Sequence, residues 1–203
     1  MKNSLKKGEE TKKRILEQGL GLFSSYGYEE TSLKDIAKNV KIKPPSIYAY
    51  FESKQAIFEQ IVNFVIEDYL SFIKEQSYVI KDFPLKKKLY YILVELNKYY
   101  YMNEKGLFLK RYGIYPPENF KDLITAKNKE VEQAIRNLVF SILRNDKTDN
   151  LIDEEAVVTS FTTLLDGMLF YMMSSPYEGY EHRLNTIWSV FWNGIHANAK
   201  ENK

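Results

Sequence analysis

Apolar residues in this chain recur every three or four positions, segment after segment, and no stretch alternates with period two. That spacing lays one apolar stripe along each of a series of helices and leaves no signal for strands or hairpins. Ile15, Leu16, Leu20, Leu22 and Phe23 mark a helix over 9–26, with Gly27 as its stop. Ser32 and Asp35 match a capping box opening a second, short helix, whose stripe is Leu33, Ile36, Ala37 and Val40. A third runs from Pro44 to about Phe51, because prolines fit the first helical positions, where N–H groups have no intrahelical acceptor. Ser53 then caps a long helix reaching about Gln76, and further helices are predicted over 85–103, 106–112, 117–144, 153–174 and 180–199. The expected fold is all-α, a three-helix head over 1–53 and a larger helical bundle over 54–203.

Composition narrows the function classes. The chain has 203 residues, no cysteine and two histidines, so thiolate metal sites and disulfides are excluded and a reducing compartment, the cytoplasm, is expected. No signal-peptide core and no membrane-length apolar run is read. There is no H-E-x-x-H, no phosphate-binding glycine loop and no G-x-S-x-G, so neither a catalytic set nor a metal or cofactor site is expected. Residues 1–60 carry eleven Lys and Arg against eight Asp and Glu, and the remainder eighteen against nineteen. The basic excess sits in the head.

Two short helices joined by a tight turn make a helix-turn-helix, whose second helix lies in a DNA major groove with its N-terminal residues at base edges. The stretch "KIKPPSIYAYFESK", 41–54, has the parts that geometry needs. Lys43, Pro44 and Ser46 fall at the start of the second helix, where base edges are read. Tyr48 and Tyr50 offer hydroxyls to phosphates. Lys54 adds an ammonium at a helix start, where free N–H groups favour an anion, and Thr31 and Ser32 do the same at the head of the first helix. Phe51 is expected to face the core with Ile36 and Leu20. The plain alternative is that these tyrosines and lysines are packing and solvated groups.

The run "TSLKDIAKNVKIKPPSIYAYFESKQAIFEQIV" resembles the DNA-binding domain of the TetR family of bacterial transcriptional regulators over about residues 10–62. The shared pattern is a Thr/Ser start, Ile-Ala, a short turn, Ile-Tyr-x-Tyr-Phe, and Ser-Lys opening the next helix. Three positions depart from it: Lys41 and Pro45 stand where Gly is usual, and Lys43 where Ser is. The resemblance implies a homodimer reading a roughly palindromic double-stranded DNA operator. It also implies a small-molecule effector held in the bundle, with the long fourth helix as lever, and dimerisation through the last two helices. On that reading Leu184, Ile187, Trp188, Phe191 and Ile195 form the dimer face, and Gly167 lets a helix approach closely.

The rest of the chain is rich in rings. Tyr99, Phe108, Tyr112, Phe161, Met168 and Tyr171 read either as an aromatic effector cavity or as bundle core. Asp166, a carboxylate in apolar company, reads as counter-charge to a cationic ligand or as a paired edge residue, and Glu95 has the same two readings. Two rival functions remain on sequence grounds: a DNA-binding architectural or division-linked protein with no inducer, and a helical-bundle enzyme or carrier.

Overall fold

A computed structural model describes residues 2–145, 153–174 and 179–195. Its elements are α1 (Lys2–Tyr26), α2 (Leu33–Val40), a 3-10 segment (Pro44–Ala49), α3 (Lys54–Val79), α4 (Leu85–Met102), α5 (Glu104–Tyr112), a 3-10 turn (Glu118–Phe120), α6 (Lys121–Asn145), α7 (Glu154–Ser174) and α8 (Tyr180–Gly194). The fold is all-α, with no strand among the described residues. α1 begins earlier than the apolar stripe of 9–26, since a helix continues through polar residues until something stops it. The region 44–51 is a 3-10 segment ending at Ala49. Its first two residues lack N–H donors, and its bonds close early, Ser46 N to Lys43 O at 2.8 Å and Tyr50 N to Ile47 O at 2.8 Å.

Compactness divides the chain into Met1–Asp68 with Met102–Lys127, and Tyr69–Tyr101 with Asn128–Lys203. The division expected from sequence, at 53/54, concerns which residues face DNA and stays a functional proposal. The first unit takes in more than the three short helices because the start of α3 and all of α5 supply its core.

That core is a cluster of rings around Phe58, which is wholly buried. Its ring centroid lies 5.3 Å from Phe23, 4.9 Å from Tyr28, 5.4 Å from Phe108, 5.0 Å from Tyr112 and 4.4 Å from Phe120. Tilted and edge-on contacts at such separations add to the gain from burial. Truncating Phe58 to alanine would cost about 3–5 kcal/mol.

In the second unit the buried stripe of α4 is Leu89, Ile92, Leu93 and Leu96, and α7 buries Val157, Val158, Phe161, Leu165 and Met168. α7 packs on α8, where Phe161 meets Phe191 at 6.0 Å. Trp188 lies 5.2 Å from Tyr90 of α4, whose hydroxyl donates to Asn185 Oδ1 at 2.9 Å.

Candidate nucleic-acid interface

The head is built from its caps outward. Ser32 opens α2 with both arms of a capping box: its hydroxyl accepts from Asp35 N at 3.2 Å, and Asp35 Oδ2 accepts from Ser32 N at 3.0 Å. The Ser32 hydroxyl, which also donates to Asp35 Oδ2, and then the Ser32 N–H hold the Asp35 carboxyl below its usual range. α2 closes on Lys41, which has φ 62° and ψ 44° and is the one non-glycine residue with positive φ among those described. Its N–H and that of Ile42 bond back to Lys38 O and Ala37 O, the pattern that ends helices in a left-handed residue. Arg14 of α1 donates to Val40 O and holds the same corner from outside.

In a 3-10 segment three residues make one turn, so positions three apart share an edge. Ile47 is buried and Tyr50 half-buried, and they form the inward edge, while Pro44 is exposed. Lys43, Ser46 and Ala49 form one exposed edge, and Pro45 and Tyr48 another, with Tyr48 63% exposed. Phe51 is buried, as are Ile36 and Leu20. The outward groups are thus an ammonium, a hydroxyl, a phenol and small or rigid neighbours. Around them Lys34, Lys38 and Lys41 are also exposed, and the one acid among residues 34–43, Asp35, is engaged by Ser32.

Lys54 is half-buried and already partnered: its ammonium donates to Tyr28 O at 2.8 Å and stands 4.1 Å over the Tyr28 ring. An ammonium has three donors, so two are left over at the start of α3. Ser53 caps that helix as expected, accepting from Ala56 N at 3.0 Å. Thr31 corrects the sequence reading. It is buried, and its hydroxyl donates to Gly27 O at 2.8 Å, closing the turn between α1 and α2 rather than facing a phosphate. Arg14, Lys34, Lys38 and Ala49 were not singled out from the sequence. The lysines were legible as exposed positions of a short amphipathic helix, whereas nothing local ties Arg14 to a carbonyl 26 residues away.

The residues read as an effector site are divided between the two units. Phe108 and Tyr112 belong to the ring core of the first unit, and the Tyr112 hydroxyl donates to Phe23 O at 2.9 Å. Tyr99, Phe161, Asp166, Met168 and Tyr171 belong to the second unit. Phe161 and Met168 are packed core, and Tyr99 is buried against Tyr69 at 4.6 Å. Tyr171 is half-buried beneath the Arg183 guanidinium, 3.9 Å from its ring. Asp166 meets solvent on one side. Partial desolvation on the other, then the nearby Glu132 carboxylate, holds its carboxyl above the usual range. Burial likewise raises the Tyr69 and Tyr100 hydroxyls beside it, Tyr100 to about 12. Glu95 is paired with Lys98 at 2.7 Å.

The expected dimer face needs the same correction. Leu184, Trp188, Phe191 and Ile195 are buried within their own unit, and Ile187 is half-buried. The apolar face drawn from sequence was wider than the stripe one neighbour covers. Residues left outward are Val190 on α8, 71% exposed, with Phe170 on α7, 60% exposed, and Gly167, where an added Cβ would meet nothing within 4 Å. His182 is exposed, and His196 lies outside the described residues. Among the described residues no group of three or more His, Cys, Asp or Glu could hold a metal, and no helix is long and apolar enough to cross a membrane.

α2, the turn at Lys41 and the short segment braced by buried Ile47 and Phe51 have the arrangement of a helix-turn-helix head. Residues 15–61 match the model of the family described as bacterial regulatory proteins, tetR family. The head is thus similar to that of the TetR family over residues 15–61. The biofilm operon icaADBC HTH-type negative transcriptional regulator IcaR of Staphylococcus aureus (strain Newman) is 47% identical over 60 residues, which are 30% of this chain and 32% of IcaR. The chain thus spans about a third of the length of the relatives it matches first. Beyond the head the likeness is one of fold. A putative TetR-family transcriptional regulator from Mesorhizobium loti MAFF303099 gives a TM-score of 0.72 at 18% identity, covering 91% of this chain and 96% of that one. The transcriptional regulator FadR of Bacillus subtilis, solved in complex with stearoyl-CoA, gives 0.66 at 16%, covering 90% and 98%.

Proposed function

We propose that the chain is a ligand-responsive transcriptional repressor that binds a roughly palindromic operator as a homodimer and is released by a small apolar or aromatic effector. The observation that carries the DNA-binding part is the exposed Lys43–Ser46 edge and Tyr48 on a segment whose other edge is buried. Lys43 and Ser46 read base edges. Tyr48, Ser32 and the spare donors of Lys54, with Lys34, Lys38 and Lys41 beside them, hold phosphates. Two such heads about 34–36 Å apart would occupy successive major-groove faces of one duplex.

Repression is supported by the name of the relative IcaR, a negative regulator whose likeness to this chain lies in the head. An effector site is supported by FadR, whose fold is similar and whose structure holds an acyl-CoA. An effector releases DNA only by its differential affinity for the bound and unbound states of the protein.

The test is selection of bound DNA from a random pool, followed by a screen for compounds that release it. A palindromic consensus and a releasing compound are expected. A consensus with no releasing compound favours the reading without an inducer, and salt-insensitive or absent binding overturns the DNA-binding role.

A further inference from the structure

The last carbonyls of α1 accept hydrogen bonds from side chains of another helix. A helix leaves its final C=O groups without intrahelical donors, and a cation in the last turn is the common remedy. α1 has no basic residue in its last turn. α5 supplies one: Arg111 Nη1 donates to Ser24 O at 3.1 Å and to Ser25 O at 3.3 Å. The next residue, Tyr112, donates its hydroxyl at 2.9 Å to Phe23 O, which also accepts from Gly27 N at 3.0 Å. Burial pushes that hydroxyl up to about 12, so it stays protonated and remains a donor.

The clamp sits immediately before the segment that sets the head. Gly27 follows with φ 98°, and a Cβ there would stand 3.0 Å from Arg111 Nη2, so guanidinium and turn are fitted to each other. Gly27 O then accepts from Thr31, Tyr28 O accepts from Lys54, and Ser32 begins α2. Fixing Phe23–Ser25 therefore fixes two carbonyls on which the start of α2 and the Lys54 ammonium are registered.

We propose that Arg111 and Tyr112 are positioning residues for DNA binding: they touch no nucleic acid, and they hold the end of α1 so that α2 and Lys54 meet the duplex in register. The inference rests on the DNA-binding reading above.

Arg111 is exposed at the wall of an open groove of about 480 Å³, so truncating it leaves no closed cavity. Arg111→Ala is compared with the unaltered chain on the selected operator across a range of salt, well below the melting temperature. Affinity is expected to fall about tenfold, the scale of a lost charged hydrogen bond. The slope of log affinity against log salt stays unchanged, since no phosphate contact is removed. Arg111→Lys restores part of the loss. Tyr112→Phe, which keeps the buried ring, is expected to lose about threefold.

Equal affinity for Arg111→Ala and the unaltered chain, even with a lowered melting temperature, overturns the proposal and makes the clamp purely structural. A slope reduced by about 0.9 also overturns it, because Arg111 would then be touching a phosphate itself. If the unaltered chain binds no DNA at all, the DNA-binding reading fails and this one falls with it.

Discussion

Lys41 sits in a backbone region where a Cβ crowds the following carbonyl, at a cost of roughly 1–2 kcal/mol. Glycine there would remove the crowding, while its freer unfolded chain would return about 0.5–1 kcal/mol. Lys41→Gly is expected to stabilise the protein by about 0.5–1 kcal/mol, read as a higher urea midpoint at unchanged m-value. Asp166 makes a second prediction at this scale. Its carboxyl is raised by desolvation and by Glu132, so the folded chain holds that proton more tightly than the unfolded chain does. The ionised form therefore disfavours folding above the raised value, and this cost vanishes below the ordinary value of 3.8. Asp166→Asn should stabilise the protein near pH 7, with the gain closing as pH falls toward that value. A gain independent of pH in thermal melts would show that the carboxylate's charge is not the cause.

The reading segment was legible as an element but not in its type. Two prolines, alternating inward Ile47 and outward Tyr48, and Ser53 after Phe51 were enough to place a short helix there. Its closure as a 3-10 turn depended on which N–H groups find acceptors, and periodicity over six residues does not decide that. The consequence is an edge of Lys43, Ser46 and Ala49, three apart, in place of an α-helical face. Lys43→Ala is expected to relax preference at one base position by about 1–3 kcal/mol and to leave other positions alone. Tyr48→Phe should weaken all sequences alike at an unchanged salt slope, since a neutral hydroxyl releases no counterion. Uniform weakening by Lys43→Ala, measured by repeating the selection with the variant, would move that lysine to the backbone. Helix existence and capping at Ser32 and Ser53 followed from local chemistry. The roles of Thr31, Tyr112 and Trp188 did not, because a hydroxyl, a phenol or an indole reads the same in sequence whether its partner is a carbonyl of its own chain or a ligand.

At the scale of the molecule the dimer reading rests on outward groups of the last two helices. Trp188 and Phe191 are buried within one chain, so replacing them would unfold it before revealing an interface. Val190 is the better probe: Val190→Glu is expected to give monomers by light scattering with unchanged helical content, and a persistent dimer would place the interface elsewhere. The double proline that opens the reading segment has a last consequence, for anyone watching this protein meet DNA. Pro44 and Pro45 carry no amide hydrogen, so nitrogen-proton spectra will be blank at the two residues between the proposed base readers Lys43 and Ser46. Contact there has to be followed through the Ile42 and Ile47 methyls or a fluorine placed on the Tyr48 ring.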